Sequence, residues 1–281
     1  MDATDKKLLA EIDTHLQLAA ASGKVIYLED KTDAKAFLAL LGVVEPPGQD
    51  LLHQGGLVLG LSDSTLGRGN KSVRRRVELT QALRGYSGVV GVVDGDGIPL
   101  STLVAQFDPP FSGRLYSWKA YSIENLIAKV SWPPAWGAAP KWPEVLLEYA
   151  PYAAFNRLIL EIQAHLRALG FGQFMTPTLD GPLLLASDVI TALETQQPNL
   201  ARYEAANRFS TLLGEIESSI RSGTDEGHAV INGKWLFEDY APRRTKLKRE
   251  DCRNTWIEHV RSTGGLSEVR DFWKRVTGNN P

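Results

Sequence analysis

Three carboxylates carry the chemistry that this sequence can offer: Glu29, Asp94 and Asp96. Glu29 closes the run Val25-Ile26-Tyr27-Leu28, and Asp94-Gly95-Asp96-Gly97 follows directly on Gly88-Val89-Val90-Gly91-Val92-Val93. Both runs are short, rich in β-forming residues and unbroken by polar ones, the pattern of strands buried on two faces. Ligands of an open parallel sheet gather beyond the carboxyl ends of its strands. If these two strands are neighbours, the three acids converge on one edge. Clustered carboxylates repel one another unless a cation neutralises them. An all-oxygen set suits Mg²⁺ or Mn²⁺, which polarises a phosphoryl oxygen and acidifies a bound water. Gly95 and Gly97 let the chain turn sharply and leave room for a phosphate.

Other readings of the same residues stay open. Asp-Gly is a favoured hairpin turn, so 94–97 could simply reverse the chain. An EF-hand is a poor fit, because Ile98 and Ala105 stand where calcium ligands belong. A phosphatase or phosphotransferase could use the same Asp-x-Asp with its first aspartate as nucleophile.

The elements that must position these acids alternate along the first half of the chain. Leu8, Leu9, Ile12, Leu16, Ala19 and Ala20 share one side of a helix over 5–20, capped by Thr4 or Asp5. A second helix, capped by Thr32 or Asp33, runs through Ala36, Phe37, Leu40 and Leu41 to Gly42. A strand at 57–61, a helix at 71–84 ended by Gly85, a helix near 99–107 and a strand near 113–118 follow. Ser122 then opens a helix through Ile123, Leu126 and Ile127. Such alternation predicts an α/β fold with a mostly parallel sheet flanked by helices. The Pro/Trp-rich stretch 132–143 suits neither a helix nor a sheet interior and is read as a boundary. Beyond it the patterns are mainly helical, at 144–169, 199–222, 250–262 and 266–277, with a short strand near 229–231. The expected organisation is therefore a catalytic domain at 1–131, a boundary at 132–143 and a mainly helical C-terminal domain at 144–281.

Composition narrows the function classes. The 281 residues carry a net charge of -2, so nucleic-acid binding would need a local basic surface. Two basic clusters qualify: Lys71, Arg74, Arg75 and Arg76, and the denser Arg243, Arg244, Lys246, Lys248 and Arg249. Lys71, Arg74, Arg243, Arg244 and Lys246 are the candidates for phosphate contacts, against the plainer reading of a solvated face. The loop Gly67-Arg68-Gly69-Asn70-Lys71-Ser72 misses a P-loop because Asn70 replaces the glycine before the lysine. One cysteine, Cys252, excludes an internal disulfide framework and a cysteine-rich zinc site. His15, His53, His165, His228 and His259 show no ligand spacing, and Trp235, Trp256 and Trp273 sit in apolar patterns typical of a core. No run of about eighteen apolar residues and no signal-peptide pattern occurs, so a cytoplasmic protein without a membrane span is expected.

Three segments taken together resemble a known family: Leu28-Glu29-Asp30-Lys31-Thr32-Asp33, Val92-Val93-Asp94-Gly95-Asp96 and Tyr121-Ser122-Ile123-Glu124-Asn125-Leu126. They are similar to the Toprim fold, and more closely to the Toprim-like family encoded beside ABC-type ATPases, which includes the effector subunit of the PARIS anti-phage system. The resemblance covers about residues 22–130, with a fainter echo at Asn232-Gly233-Lys234-Trp235. It implies a Mg²⁺-dependent nuclease acting on DNA or RNA, tRNA among the candidates. It also implies a toxin-like role in antiviral defence under the control of a partner ABC-type ATPase, with homo-oligomerisation left open. Glu29 would then be a catalytic acid/base or metal ligand, Asp94 and Asp96 the principal metal ligands, and Asp33 and Glu124 accessory acids. Asp33 and Glu124 also suit plain first-turn helix positions. Asp30 departs from the family, which has glycine there; aspartate tolerates a left-handed turn better than most residues. A non-catalytic regulatory or scaffold module of the same fold is the alternative that this departure keeps open.

Overall fold

The computed structural model describes residues 3–21, 23–43, 52–53, 55–61, 69–95, 113–130, 132–168 and 205–280. Contacts divide it into two compact units, one of Met1–Ala139 with Gly233–Pro281 and the other of Pro140–Asn232. The first unit opens with α1 (Ala3–Leu18), β1 (Val25–Leu28), α2 (Lys31–Leu40), β2 (Leu52–His53) and β3 (Gly56–Gly60). It continues with α3 (Asn70–Arg84), β4 (Val89–Val93), β5 (Leu115–Ser117) and α4 (Ile123–Val130). The second unit holds α5 (Trp142–Ala168), α6 (Ala205–Ser222) and α7 (Thr224–Val230). The chain then returns to the first unit through a π-helical turn (Leu236–Tyr240), α8 (Ala241–Thr245), α9 (Arg249–Ser262) and α10 (Ser267–Thr277).

The sheet has the order β2-β3-β1-β4-β5. β3, β1, β4 and β5 are parallel, and β2 adds a short antiparallel edge. The expected α/β class with a mostly parallel sheet is therefore observed. Strand parity sorts the two faces. Val25, Tyr27, Leu57, Val89, Val93 and Leu115 pack with Val73 and Val77 of α3. Gly91 lies on this face because a Cβ there would crowd Val73 and Val77. On the opposite face a Cβ at Gly60 would run into the Asp30 carbonyl at the start of α2, and one at Gly56 would meet Trp273 of α10. Phe37 of α2 anchors that face, with ring centroids of Trp118, Phe272 and Trp273 at 5.9, 6.0 and 6.2 Å.

The C-terminal helices correct the expected domain plan. Residues 144–281 do not form one domain, because Gly233–Pro281 belongs with the sheet unit. The reason is aromatic. Trp256 of α9 packs edge-on against Trp132 and Trp136 at 5.2 and 5.6 Å, and Phe272 packs on Tyr116 at 5.1 Å. Leu266 also donates its N–H to the Leu40 carbonyl at the end of α2, at 2.6 Å. Within the second unit, Arg208 clamps Glu161 with two 2.7 Å bonds between α6 and α5. The strand expected near 229–231 is instead part of helix α7, where Gly227 lets the chain pass close to Leu146. The helix expected near 99–107 lies outside the described residues. Among the described residues no helix is long and apolar enough to cross a membrane.

Candidate active site

The chain passes from β1 to β3 on one side and later lays β4 on the other, so the direction of winding switches between β1 and β4. A crevice for ligands opens beyond the carboxyl ends of strands at such a point. Glu29 follows β1 and Asp94 follows β4, in a register that pairs Val25 with Val89 and Tyr27 with Gly91. The two acids meet there. Glu29 Oε1 accepts the backbone N–H of Asp94 at 3.0 Å. This bond fixes one oxygen of Glu29.

Asp94 is nearly buried, at 8% exposure, and its Oδ1 accepts the Ile123 N–H at 3.1 Å. It thus satisfies one of the unpaired amides at the start of α4. Its carbonyl receives the Ser117 hydroxyl at 3.3 Å. Gly95 follows where a Cβ would collide with the Ala120 carbonyl, so the turn after β4 requires glycine for packing. Asp96, the third expected ligand, lies outside the described residues.

Asp33 turns out to be half of a capping box. Asp30, at φ -148, is the N-cap of α2 in place of the expected Thr32 or Asp33; it accepts from Thr32 and Asp33 N–H groups at 2.7 and 2.9 Å. Asp33 Oδ2 accepts the Asp30 N–H in return, at 3.2 Å. The aspartate at 30 therefore needs no left-handed backbone: it is extended and stabilises the helix. Asp33 is still unusual. Burial, then the carboxylates of Asp30, Glu124 and Glu29, push its carboxyl up to about 8, against a smaller opposing effect of Lys234.

Glu124 sits in the first turn of α4 at 1% exposure. Its Oε1 accepts from Arg253 of α9 at 2.8 Å, while its Oε2 is buried with no hydrogen-bond partner among the described residues. Lys234 joins the same group of acids. Lys234 is an exposed residue by surface area, so its desolvation is only partial; this pulls the ammonium down, but Glu124, Asp94, Asp33 and Asp30 more than reverse it and hold it above the usual lysine value.

Arg253 and Lys234 are the residues that sequence reasoning missed. Lys234 had a faint signal in Asn232-Gly233-Lys234-Trp235, whereas Arg253 sits in an ordinary amphipathic helix with nothing to mark it.

Among the described residues, no three His, Cys, Asp or Glu side chains are placed to hold a metal ion together. Glu29 and Asp94, linked through the Asp94 backbone N–H, have the hard-oxygen chemistry of Mg²⁺ or Mn²⁺ ligands. The orphaned Oε2 of Glu124 adds an unsatisfied acceptor to the same group.

The expected phosphate-contact residues divide. Lys71 and Arg74 line a cavity of about 750 Å³ at the start of α3, with Asn70, Arg75, Asp5 and Glu78. Gly69, at φ 95, is the N-cap of α3, and a Cβ built on it would lie 3.8 Å from Glu29 Oε2. The cavity and the acidic edge thus share one helix start. Arg75 and Arg76 do not extend the basic run, because they pair with Asp5 and Glu11 of α1 at 2.6 and 2.7 Å. In the second cluster, Arg243 pairs with Asp239 at 2.9 Å, and Arg244 donates to the Ala138 carbonyl at 2.9 Å while lying over Trp132. Lys246 is exposed, with φ 62, and closes α8. Arg243 and Arg244 are thus engaged locally, while all five residues of the cluster, Lys246, Lys248 and Arg249 included, are exposed.

Compared with family models, curated proteins and solved structures, the chain matches none.

Proposed function

We propose that this protein is a metal-dependent nuclease of Toprim type that hydrolyses phosphodiesters at the β1/β4 edge. One observation carries the reading: Glu29 and Asp94 follow adjacent parallel strands at the switch point and are joined by a 3.0 Å hydrogen bond. Glu29, Asp94 and Asp96 would hold the Mg²⁺ or Mn²⁺. Such an ion, when bound, polarises a phosphoryl oxygen and acidifies water. Glu29 keeps Oε2 on the side of Gly69, where the missing side chain leaves space for a phosphate, and this oxygen would take the proton of the attacking water. Lys71 and Arg74 would hold the substrate backbone along the α3 cavity, giving affinity without reading sequence. Control by a partner ABC-type ATPase and a role in anti-phage defence belong to this proposal through the family resemblance.

The test is cleavage of tRNA, single-stranded DNA and duplex DNA with Mg²⁺ or Mn²⁺, with and without EDTA. Glu29→Gln and Asp94→Asn should each lower the rate roughly 100-fold or more, and EDTA should abolish it. Equal rates in all three proteins end the proposal.

A second reading has its own support. Arg253 already holds Glu124, and Lys234 already faces four acids, so the chain supplies cations of its own at this edge. A non-catalytic module of the same fold would then keep its structure and its partner when Glu29 is replaced, and would never cleave.

A further inference from the structure

We propose that Lys234 is the resident counter-cation of the acidic edge, a positioning residue whose charge holds the acids at α2 and α4 together and opposes the entry of a divalent ion. The inference deepens the metal-dependent reading of this edge and rests on it only for the effect on ion affinity.

The approach of Lys234 is built into the backbone. Gly233, immediately before it, is buried against the first turn of α4, and a Cβ there would overlap the Asn125 side chain and come within 2.8 Å of its backbone nitrogen. Only glycine lets the chain pass so near, and the step places residue 234 beside the turn that carries Glu124. The chain beyond Lys234 is anchored as well: Leu236 donates its N–H to the Gly233 carbonyl at 2.9 Å, and Leu236 and Phe237 are buried. Packing on both sides therefore fixes the backbone at Lys234, whose side chain is itself exposed.

The acids need what it supplies. Glu124 is 1% exposed, and among the described residues only one of its oxygens has a hydrogen-bond partner, the Arg253 guanidinium. A buried carboxylate oxygen without a donor is expensive unless positive charge stands near it. Lys234 acts electrostatically on Glu124, Asp94, Asp33 and Asp30. Lys234 and Arg253 both come from the segment after residue 232, so the C-terminal part of the chain supplies positive charge to acids that the sheet brings together. A compact ammonium suits the task because it acts as a point charge on several acids at once, unlike a planar guanidinium committed to one carboxylate. The same positive charge repels a divalent ion entering the edge. Its removal should weaken the metal-free protein and strengthen metal binding.

The experiment compares wild type, Lys234→Met and Lys234→Arg by thermal melting in EDTA and by calorimetric titration with Mn²⁺ and Mg²⁺. Lys234→Met keeps most of the stem and loses the charge; Lys234→Arg keeps the charge. Lys234→Met should melt several degrees lower in EDTA and bind the divalent ions roughly 3- to 10-fold more tightly, with Lys234→Arg close to wild type in both. A Lys234→Met protein that melts and binds like wild type overturns the inference. So does a Lys234→Arg protein that behaves like Lys234→Met, since shape and not charge would then matter. Should no variant bind either ion, the metal-dependent reading falls, and the melting comparison in EDTA still decides the role of Lys234.

Discussion

Asp30 and Asp33 form a capping box that ties the turn after Glu29 to the first turn of α2. An aspartate at the N-cap satisfies amides that a glycine would leave to water, so the residue departing from the family pattern strengthens the turn it occupies. Asp33 makes the pH dependence of this turn testable. Its carboxyl is raised by burial and by neighbouring acids from 3.8 to about 8. The folded chain therefore binds this proton more tightly than the unfolded chain does. The stability contributed by Asp33 is fully present below about pH 4 and is lost as pH rises toward 8. Asp33→Asn can still accept the Asp30 N–H and carries no charge. It should melt like wild type at pH 4 and above it at pH 8, by a margin worth on the order of 1 kcal/mol or more. A constant difference across that range, read from melting curves at several pH values, would refute the assignment.

At the scale of elements, α1 and α3 show how a charge run on paper becomes structure. Asp5, Glu11 and Asp13 of α1 face Arg75, Arg76 and Arg84 of α3. The three pairs are not equivalent. Arg75 and Arg84 keep much of their side chains in water, where ion pairs contribute little. Arg76 is 1% exposed and also donates to the Ser72 hydroxyl. Removing one partner of such a pair leaves the other charge, or the space it filled, without compensation. Arg76→Ala should cost about 3 kcal/mol in urea denaturation, and Arg76→Met distinctly less because its chain refills the stem volume. A change below about 0.5 kcal/mol for Arg76→Ala would show that the pair is structurally idle.

The molecule as a whole folds its sheet unit from two ends of the chain. Trp273 is fully buried next to Phe37, and Trp256 is fully buried against Trp132 and Phe237. Large aromatic side chains of this kind dominate the energy of the core they fill. A chain ending at Asn232 would expose the aromatic surface around Phe37, Trp118 and Trp132 and lose Lys234 and Arg253 from the acidic edge. It should lack cooperative unfolding and bind a hydrophobic dye, whereas Trp256→Ala in the full chain should still fold with a loss of about 3–5 kcal/mol. A truncated protein with a sharp, wild-type-like transition would contradict this two-ended assembly.

Local pattern sufficed for much of the sheet unit. The apolar runs at 25–28 and 89–93 announce buried parallel strands because no alternation interrupts them, and the acids after them are bound to lie at strand ends. Helix periodicity likewise located α3, α9 and α10 within a residue or two. What required the tertiary structure is everything that depends on who lies beside whom. Parallel order brought β1 next to β4, and so Glu29 to Asp94, although 65 residues separate them. Long-range packing returned residues 233–281 to the sheet and set Lys234 and Arg253 among the acids. A charged side chain is equally at home in solvent or against a distant opposite charge, and its local sequence does not distinguish the two. Only the folded chain, which withdraws Glu124 from water, decides which cations must answer it.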